Sequence, residues 1–428
     1  MKFYIFVLGL ILPNLAFAYL DPGTGNALIY LLLTIGGAFV YFFKRIFYIF
    51  LKLIRKDPYE PNKKQFKAQL TIFSEGKTYY YTFKQIIEEL IARKIYFRYL
   101  TTDLFDPALT IYSPYMDSKY VGKGQRAYAK IGHSAGKFFL ATTPNIGCKG
   151  YPLHRPKRID KMLLISHAVS DLSYLKLGSI DHYDIIMDIG NWCKDRVQKV
   201  IKARNLKDKI WLAVGLPYLD ELSKHVQLNK REDNCILVAP SWGKKGFLSI
   251  HGTDCLIELL KQNYKIIFRP HPQAWKNDLD ILEPFIEKAS QFDNFTVDRN
   301  LDATESMNKA SILISDSSSI RYDFAFLYKR PVITMEVPKA DLSSFEASIL
   351  GGPWDEGKES LLGAFIDKGK TSQLLPAVNQ MLSSVSTQNS NEKISNLYDE
   401  LIVNHSHSAK AIVDYMVKEG LNYLNPHA

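Results

Sequence analysis

The chain has 428 residues, of which 46% are hydrophobic and 23% are charged, and its net charge is +10. This balance excludes a disordered or fibrous chain and predicts a globular protein with two domains of ordinary size plus extra segments. The cysteines are scattered, with no CxxC pair and no metal-like His/Cys spacing, which predicts reduced structural thiols and no metal or cofactor site. They are Cys148, Cys193, Cys235 and Cys255.

The N-terminus carries two apolar segments. Residues 1–18 have the pattern of a secretory signal peptide, with Lys2 before an apolar core and a small-residue Ala-Phe-Ala sequence at 16–18. The alternative is an uncleaved first membrane segment. Residues 25–43 carry no charge and are long enough to span a bilayer, so they predict a transmembrane helix.

A basic juxtamembrane segment follows at residues 44–67. Positive charge marks the cytoplasmic end of a membrane segment, so everything from residue 68 onward is expected in the cytoplasm. A cleaved signal leaves a single-pass protein, and an uncleaved one makes a hairpin with the same orientation. The segment also predicts attraction to an anionic membrane surface, whereas no nucleic-acid-binding motif is present. Its cations are Lys44, Arg45, Lys52, Arg55, Lys56, Lys63, Lys64 and Lys67.

Residues 68–215 alternate between short strand patterns and helix patterns. Strands are predicted at 69–73 and 95–101, on either side of an amphipathic helix at 82–94. Further strands are predicted at 137–142 and 162–166. This alternation is typical of a parallel sheet with helices on it, so we assign residues 68–215 to an N-terminal Rossmann-like lobe.

Residues 216–428 repeat the pattern and predict a second Rossmann-like lobe. The fold class is therefore α/β, with two lobes and a cleft between them, behind the N-terminal anchor. A polar stretch at 383–392 predicts a loop, and a last helix at 407–421 is expected to cross back to the first lobe. The strands of this lobe are predicted at 236–239, 265–268, 295–297, 312–314 and 332–334, and its helices at 253–262, 278–290, 303–309 and 319–327.

Three serines precede a helix in the second lobe. The strand at 312–314 ends in Asp316, and Ser317, Ser318 and Ser319 follow it. Serine hydroxyls and backbone N–H groups at a helix N-terminus form an anion site, although the same pattern is also that of a simple helix cap. Asp316 could orient the serine loop or bind a ribose hydroxyl, because a carboxylate placed on a pyrophosphate would repel it.

A second polar loop, Arg-Pro-His-Pro, follows the strand at 265–268. The carboxyl ends of parallel strands meet at one edge of a sheet, so Arg269 and His271 are expected beside the three serines. Together these groups can neutralise a pyrophosphate, and a protonated His271 could stabilise a leaving nucleotide. The alternative is a rigid turn with a surface histidine.

In the first lobe, His167 follows the strand at 162–166 and precedes a polar stretch. A histidine in this position can take the proton from an attacking hydroxyl, but it can also be an ordinary loop or core residue. Asp171 could orient the imidazole, and a helix cap explains this aspartate equally well.

Several of these segments resemble the CDP-glycerol glycerophosphotransferase family, whose members build teichoic-acid-type poly(polyol phosphate) chains. The resemblance covers roughly residues 100–420. It is carried, in order along the chain, by LISHAVSDLSYLKLG near residues 163–178, VGLPYLDEL (214–222), ILVAPSWG (236–243), IIFRPHP (266–272) and ILISDSSSIRYDFAFLYKRPVI (312–333).

The resemblance implies a GT-B architecture, with an acceptor lobe followed by a nucleotide-donor lobe. It implies that His271 acts near the donor phosphates, that the serines hold phosphate, and that His167 is the general base. Ala168 replaces the glycine that follows this histidine in the family, and the Thr-Pro pattern after it is absent. Asp323 matches a family aspartate and is interpreted as a structural residue that holds the serine loop.

The sequence thus favours a transferase of the bacterial cytoplasmic membrane that acts on its inner side in envelope polymer synthesis. It would move glycerol phosphate, or a related polyol phosphate, from a CDP-linked donor to a lipid- or glycan-linked acceptor. The alternatives are a GT-B glycosyltransferase that uses a nucleotide sugar and a non-catalytic membrane-bound scaffold.

Overall fold

The computed structural model describes residues 68–422 apart from 301, 387 and 388. The expected signal peptide (1–18), transmembrane helix (25–43) and basic segment (44–67) lie outside the described residues. Among the helices that the structure does describe, none combines the length and hydrophobicity needed to cross a bilayer.

The first lobe is built on a seven-stranded parallel sheet with the order β3-β2-β1-β4-β5-β6-β7. Apolar side chains cover both faces of this sheet, as expected where helices pack on each side. Its strands are β1 (Leu70–Ser74), β2 (Phe97–Thr101), β3 (Met116–Tyr120), β4 (Ala135–Ala141), β5 (Arg158–Ile165), β6 (Ile185–Asp188) and β7 (Ile210–Ala213). Its helices are α1 (Tyr80–Ala92), α2 (Gly124–Gly132) and α3 (Cys193–Ala203).

The second lobe contains a six-stranded parallel sheet with the order β10-β9-β8-β11-β12-β13. Its strands are β8 (Cys235–Val238), β9 (Lys265–Phe268), β10 (Phe295–Val297), β11 (Ile312–Ser315), β12 (Val332–Met335) and β13 (Gly363–Ile366). The helices from the lobe boundary to β13 are α4 (Pro217–Ser223), α5 (Phe247–His251), α6 (Asp254–Lys261), α7 (Ala274–Asn277), α8 (Leu279–Ala289), α9 (Thr304–Lys309), α10 (Ile320–Tyr328) and α11 (Ala347–Leu350). The prediction of two parallel-sheet α/β lobes is confirmed, although β3, β6, β7 and β13 were not predicted.

Three helices complete the described chain: α12 (Leu374–Ser386), α13 (Asn389–Leu401) and α14 (Ser408–Lys418). Helix α14 packs on α1 in the core of the first lobe, so the predicted crossing is confirmed. The predicted loop at 383–392 is wrong, because residues up to Ser386 and from Asn389 onward are helical. Apolar residues on either side, Val385 and Ile394, pack into the cores and stabilise helix in spite of the polar composition.

The lobes contact each other along the chain segment between β12 and β13, which reaches over to the first lobe. The backbone N–H of Leu177 donates to Ser344 at 2.9 Å, and Glu346 N–H donates to Leu175 at 2.8 Å. The buried Glu346 carboxylate also pairs with Arg204 at 2.8 Å. This segment therefore closes one side of the interlobe cleft.

Candidate active site

Two cavities lie in the cleft, and both are lined by residues of both lobes. The large cavity, of about 680 Å³, contains the Arg269 and His271 loop and faces Lys77 and Tyr81 of the first lobe. The small cavity, of about 300 Å³, contains His167. Ser319 lines both cavities, so the N-terminus of α10 forms the wall between them.

The three serines adopt the geometry expected of a helix start. The Ser318 carbonyl accepts bonds from the N–H and Nε of Arg321 at 3.3 and 3.1 Å, and the Ser319 carbonyl accepts one from Tyr322 N–H at 3.0 Å. Ser317 and Ser319 are exposed to the cleft. The first N–H groups of a helix lack intrahelical acceptors, so this N-terminus can bind an anion from either cavity.

Asp316 connects the serine loop to the loop after β8. Its carboxylate accepts hydrogen bonds from Ser241 N–H at 3.0 Å, Ser241 Oγ at 2.5 Å and Phe247 N–H at 2.8 Å. The residue is fully buried, which leaves no surface for a ribose hydroxyl. Of the two roles predicted for Asp316, this geometry favours orientation of the serine loop.

Arg269 lies at the carboxyl end of β9 and lines the large cavity. Its Nη1 contacts Asp298 Oδ2 at 2.7 Å, and both side chains are largely buried. Asp298 also accepts bonds from Ser306 Oγ and from Asn300 N–H. The guanidinium is therefore held in a fixed position, with part of its charge balanced by the protein.

His271 is half-buried in the same cavity. Its Nδ1 accepts a hydrogen bond from Gln273 N–H at 3.1 Å, which places the proton of the neutral ring on Nε2. Burial lowers the pKa of His271, and the Asp316 carboxylate partly opposes this effect. The ring also stacks on Trp242, 6.2 Å away between centroids. In the absence of a bound anion, His271 is thus a neutral N–H donor rather than a cation.

His167 lies two residues beyond the end of β5 and lines the small cavity. The Tyr79 ring packs against it edge-on at 5.1 Å between centroids, and burial lowers the pKa of the imidazole. No described residue forms a hydrogen bond with its ring nitrogens. Burial thus favours the neutral imidazole, which is the form that accepts a proton.

Asp171 does not orient His167. Its carboxylate caps the short 3₁₀ turn after it, accepting Ser173 N–H at 2.9 Å, and it also pairs with Arg196. Of the two interpretations open from the sequence, the structure therefore supports the cap.

Asp323 is buried one helical turn after the serines and lines the large cavity. Its Oδ2 accepts a hydrogen bond from the Tyr218 hydroxyl at 3.1 Å, and its buried Oδ1 has no partner among the described residues. Burial raises the pKa of Asp323 to about 7, and the Tyr218 bond opposes the shift. The side chain thus contacts α4 rather than the serine loop that the sequence led us to expect.

Sequence reasoning missed several groups that line the cleft. Tyr81 of the first lobe donates to Asp302 of the second at 3.4 Å, and Tyr174 donates to Asp355 across the small cavity at 2.6 Å. Asp188, at the end of β6, also lines the small cavity. Only Asp188 had a sequence signal, a polar residue after the apolar run Ile185-Ile186-Met187, and β6 itself was not predicted. Within residues 68–422 with the three gaps, no group of three or more His, Cys, Asp or Glu side chains is arranged to hold a metal.

One part of the chain matches the model of a known protein family. Residues 188–348 match the model of the family described as CDP-glycerol:poly(glycerophosphate) glycerophosphotransferase. The match contains Arg269, His271, the three serines and Asp323, and it ends before β13. This region is similar to that transferase family. The resemblance inferred from the sequence is confirmed over these residues, and the match supports an enzyme of the CDP-glycerol glycerophosphotransferase type. His167 lies outside the matched residues.

Solved structures share the two-lobed fold. The wall teichoic acid polymerase TagF is 18% identical over 84% of this chain and 90% of its own, with a TM-score of 0.52. UDP-GlcNAc 2-epimerase from Neisseria meningitidis, bound to UDP-GlcNAc, is 13% identical over 82% of this chain and 99% of its own, with a TM-score of 0.54. At such identities the similarity establishes the GT-B-like fold. No curated protein matches the chain.

Proposed function

We propose that this protein is a membrane-anchored transferase that moves glycerol phosphate, or a related polyol phosphate, from a CDP-linked donor to a lipid- or glycan-linked acceptor. One observation carries the proposal. The N-terminus of α10 separates two cavities of the cleft, so a phosphate bound there can be reached from the large cavity and from the small one.

The large cavity is suited to the donor. Its volume of about 680 Å³ lies within the range of pockets that hold ligands of nucleotide size. Arg269, the Nε2–H of His271 and the N-terminus of α10 all supply hydrogen-bond donors for a pyrophosphate. Binding of the pyrophosphate raises the pKa of His271, because an anion favours the charged imidazole.

The small cavity is suited to the acceptor hydroxyl. The hydroxyl oxygen attacks the phosphorus that carries the glycerol, and the phosphorus–oxygen bond to CMP breaks as the new bond forms. His167 accepts the hydroxyl proton, and CMP leaves with the bonding electrons against the positive groups of the large cavity. The segments at 25–43 and 44–67 would anchor the chain to the bacterial cytoplasmic membrane, which would supply a lipid-linked acceptor.

The test is nucleotide binding to the purified full chain by calorimetry. CDP, CMP, UDP and GDP are compared for the wild type, for His271→Ala and for a matched control, His154→Ala, which removes an exposed histidine of the first lobe. We expect CDP to bind selectively, His271→Ala to weaken it by about tenfold or more, and the control to leave it unchanged.

Other outcomes decide between the alternatives. Selective binding of UDP or GDP would contradict the CDP-linked donor and favour a glycosyltransferase that uses a nucleotide sugar. A folded chain that binds none of the four nucleotides would favour the non-catalytic scaffold.

A further inference from the structure

The small cavity contains a second titratable group that the reaction above does not use. Asp188 is the last residue of β6, is only 2% exposed, and lines the same cavity as His167. It precedes the loop that leads into α3. A carboxyl group at the carboxyl edge of a parallel sheet lies where ligands of open α/β folds bind.

The strand register places Asp188 level with the residue before His167. Strands β5 and β6 are neighbours, and Ile165, the last residue of β5, pairs with Met187. Continuing this register places Ser166 opposite Asp188, and His167 follows Ser166 in the chain. Adjacent strands lie about 4.8 Å apart, and His167 and Asp188 both line the small cavity of about 300 Å³.

Of the two carboxyl oxygens of Asp188, one accepts a hydrogen bond from the protein and the other does not. Trp211, on the neighbouring strand β7, donates its indole N–H to Asp188 Oδ2 at 2.7 Å. Oδ1 has no partner in the part of the chain that the structure describes. Burial raises the pKa of Asp188 to about 7, the Trp211 bond opposes this, and the nearby Asp171 adds to it. Because the Asp188 side chain is largely buried, a ligand that donates a hydrogen bond to Oδ1 would lower the cost of holding the carboxyl group there.

The charges around the small cavity disfavour an anion near Asp188. Arg321 is the only Lys or Arg among the described residues that line it, and its Nη2 lies 3.5 Å from Asp355. Asp171 is likewise paired with Arg196. The described lining of the small cavity therefore offers carboxylates but few unpaired cations. These groups suit an uncharged hydroxyl and repel a phosphate.

We propose that Asp188 binds the attacking hydroxyl of the acceptor through Oδ1 and holds it beside His167, so that the acceptor presents an uncharged, hydroxyl-bearing unit to the small cavity. This inference rests on the transferase function proposed above. The hydroxyl first donates its hydrogen bond to Asp188 Oδ1 and then turns the same O–H towards His167, which takes the proton as the oxygen–phosphorus bond forms. The bond to CMP breaks in the same step.

The experiment measures CMP release by the full chain with CDP-glycerol as donor. Glycerol and glycerol 3-phosphate serve as matched acceptor probes that differ by one phosphate. The variants are Asp188→Asn, which keeps an acceptor for the Trp211 N–H, Trp211→Phe, which keeps the carboxylate, and Asp208→Asn, which neutralises an exposed aspartate just before β7. CDP affinity is measured for each variant by calorimetry.

For Asp188→Asn we expect kcat/KM for glycerol to fall by about 100-fold, with CDP affinity unchanged within about twofold. The wild type should prefer glycerol to glycerol 3-phosphate, and the Asn variant should lose much of that preference because the repelling charge is gone. Trp211→Phe should cost less than about tenfold, and Asp208→Asn should match the wild type.

Three results would overturn the inference. Asp188→Asn could turn over glycerol as the wild type does, or it could lose CDP affinity and activity in parallel, as a purely structural residue would. A wild type that binds CDP but transfers nothing to glycerol would also contradict it while leaving the donor assignment standing. A wild type that binds no CDP would instead defeat the proposed function, and this inference with it.

Discussion

The two cavities share one wall but differ in the groups that they offer a ligand. The large cavity has cations and N–H donors, from Lys77, Arg269 and His271, and its most deeply buried acid, Asp323, has a raised pKa. Of the described residues that line the small cavity, three are aspartates and one is an arginine, which is already paired. The groups that favour anion binding are therefore concentrated on one side of the serine helix, and those that favour hydroxyl binding on the other.

This difference explains how one short helix can serve both partners of a transfer reaction. The N-terminus of α10 carries a partial positive charge that acts on a phosphate from either side. Which molecule enters from which side is decided by the remaining groups. Four substitutions test that division, and they are ordered from the largest expected effect to the smallest.

The largest effect is expected for His167→Asn. Asparagine is close to histidine in shape but cannot take a proton, so kcat should fall by about 10²–10⁴-fold while CDP affinity is retained. Single-turnover CMP release and calorimetry measure the two quantities. An unchanged rate would show that the small cavity does not supply the base. His154→Asn, on the exposed surface, is the control.

Asp316→Ala should disturb both the serine loop, which separates the two cavities, and the large cavity. It removes three hydrogen bonds and leaves the N–H groups of Ser241 and Phe247 without their acceptor. We expect a loss of about 3 kcal/mol in the free energy of unfolding and weaker CDP binding. Chemical denaturation gives the first quantity and calorimetry the second. Normal stability with lost CDP binding would instead show that Asp316 contacts the donor directly.

Asp323→Asn tests the buried acid of the large cavity through pH. The pKa of Asp323 is raised to about 7 in the folded state, so the protonated form is favoured there. Its contribution to stability is complete below the unfolded pKa near 4 and is lost as pH rises through 7. The Asn variant should therefore gain about 1.4 kcal/mol relative to the wild type for each pH unit between about 4 and 7.

Thermal unfolding at pH 4, 6 and 8 measures this gain, with the exposed Asp208→Asn as control. A constant difference between the Asn variant and the wild type at all three pH values would mean that Asp323 ionises as freely in the folded chain as in the unfolded one.

The smallest effect is expected for Tyr174→Phe at the far side of the small cavity. The Tyr174 hydroxyl donates to Asp355 at 2.6 Å, and Tyr322 donates to the other oxygen of that carboxylate at 3.2 Å. Removing one of two donors should cost about 1 kcal/mol of stability and leave CDP affinity unchanged. A lost CDP affinity, measured by calorimetry, would show that the two cavities are coupled through Asp355.

Local chemistry made much of the large cavity predictable. Strands β9 and β11 are short apolar runs that end in polar residues, and parallel strands bring their carboxyl ends to one edge whatever the rest of the sheet does. Arg269, His271 and the serines were therefore expected together. Both loop residues line the large cavity with Ser318 and Ser319, whereas Ser317 lines the small one. The helix after the serines was predicted for the same reason, since its cap and its apolar face are local features.

The small cavity was less predictable because its residues come from both lobes and from segments without a strong pattern. Strand β6 has four residues, and its apolar run does not distinguish a strand from a helix, so Asp188 was not recognised. The partner of Asp171 could not be chosen either. Arg196 lies 25 residues away on α3, and only packing brings it to the carboxylate.

The sequence by itself determined the two parallel-sheet lobes, because these depend on periodicity and on local residue chemistry. Its motifs and their order also carried the resemblance to a transferase family. The tertiary structure decided which charged groups pair within the protein and which can act on a ligand. The pairing of Arg269 with Asp298, the burial of Asp323 beside Tyr218, and the contact between Tyr174 and Asp355 join distant parts of the chain. Electrostatic effects depend on distance and burial, and neither is fixed until the lobes have packed.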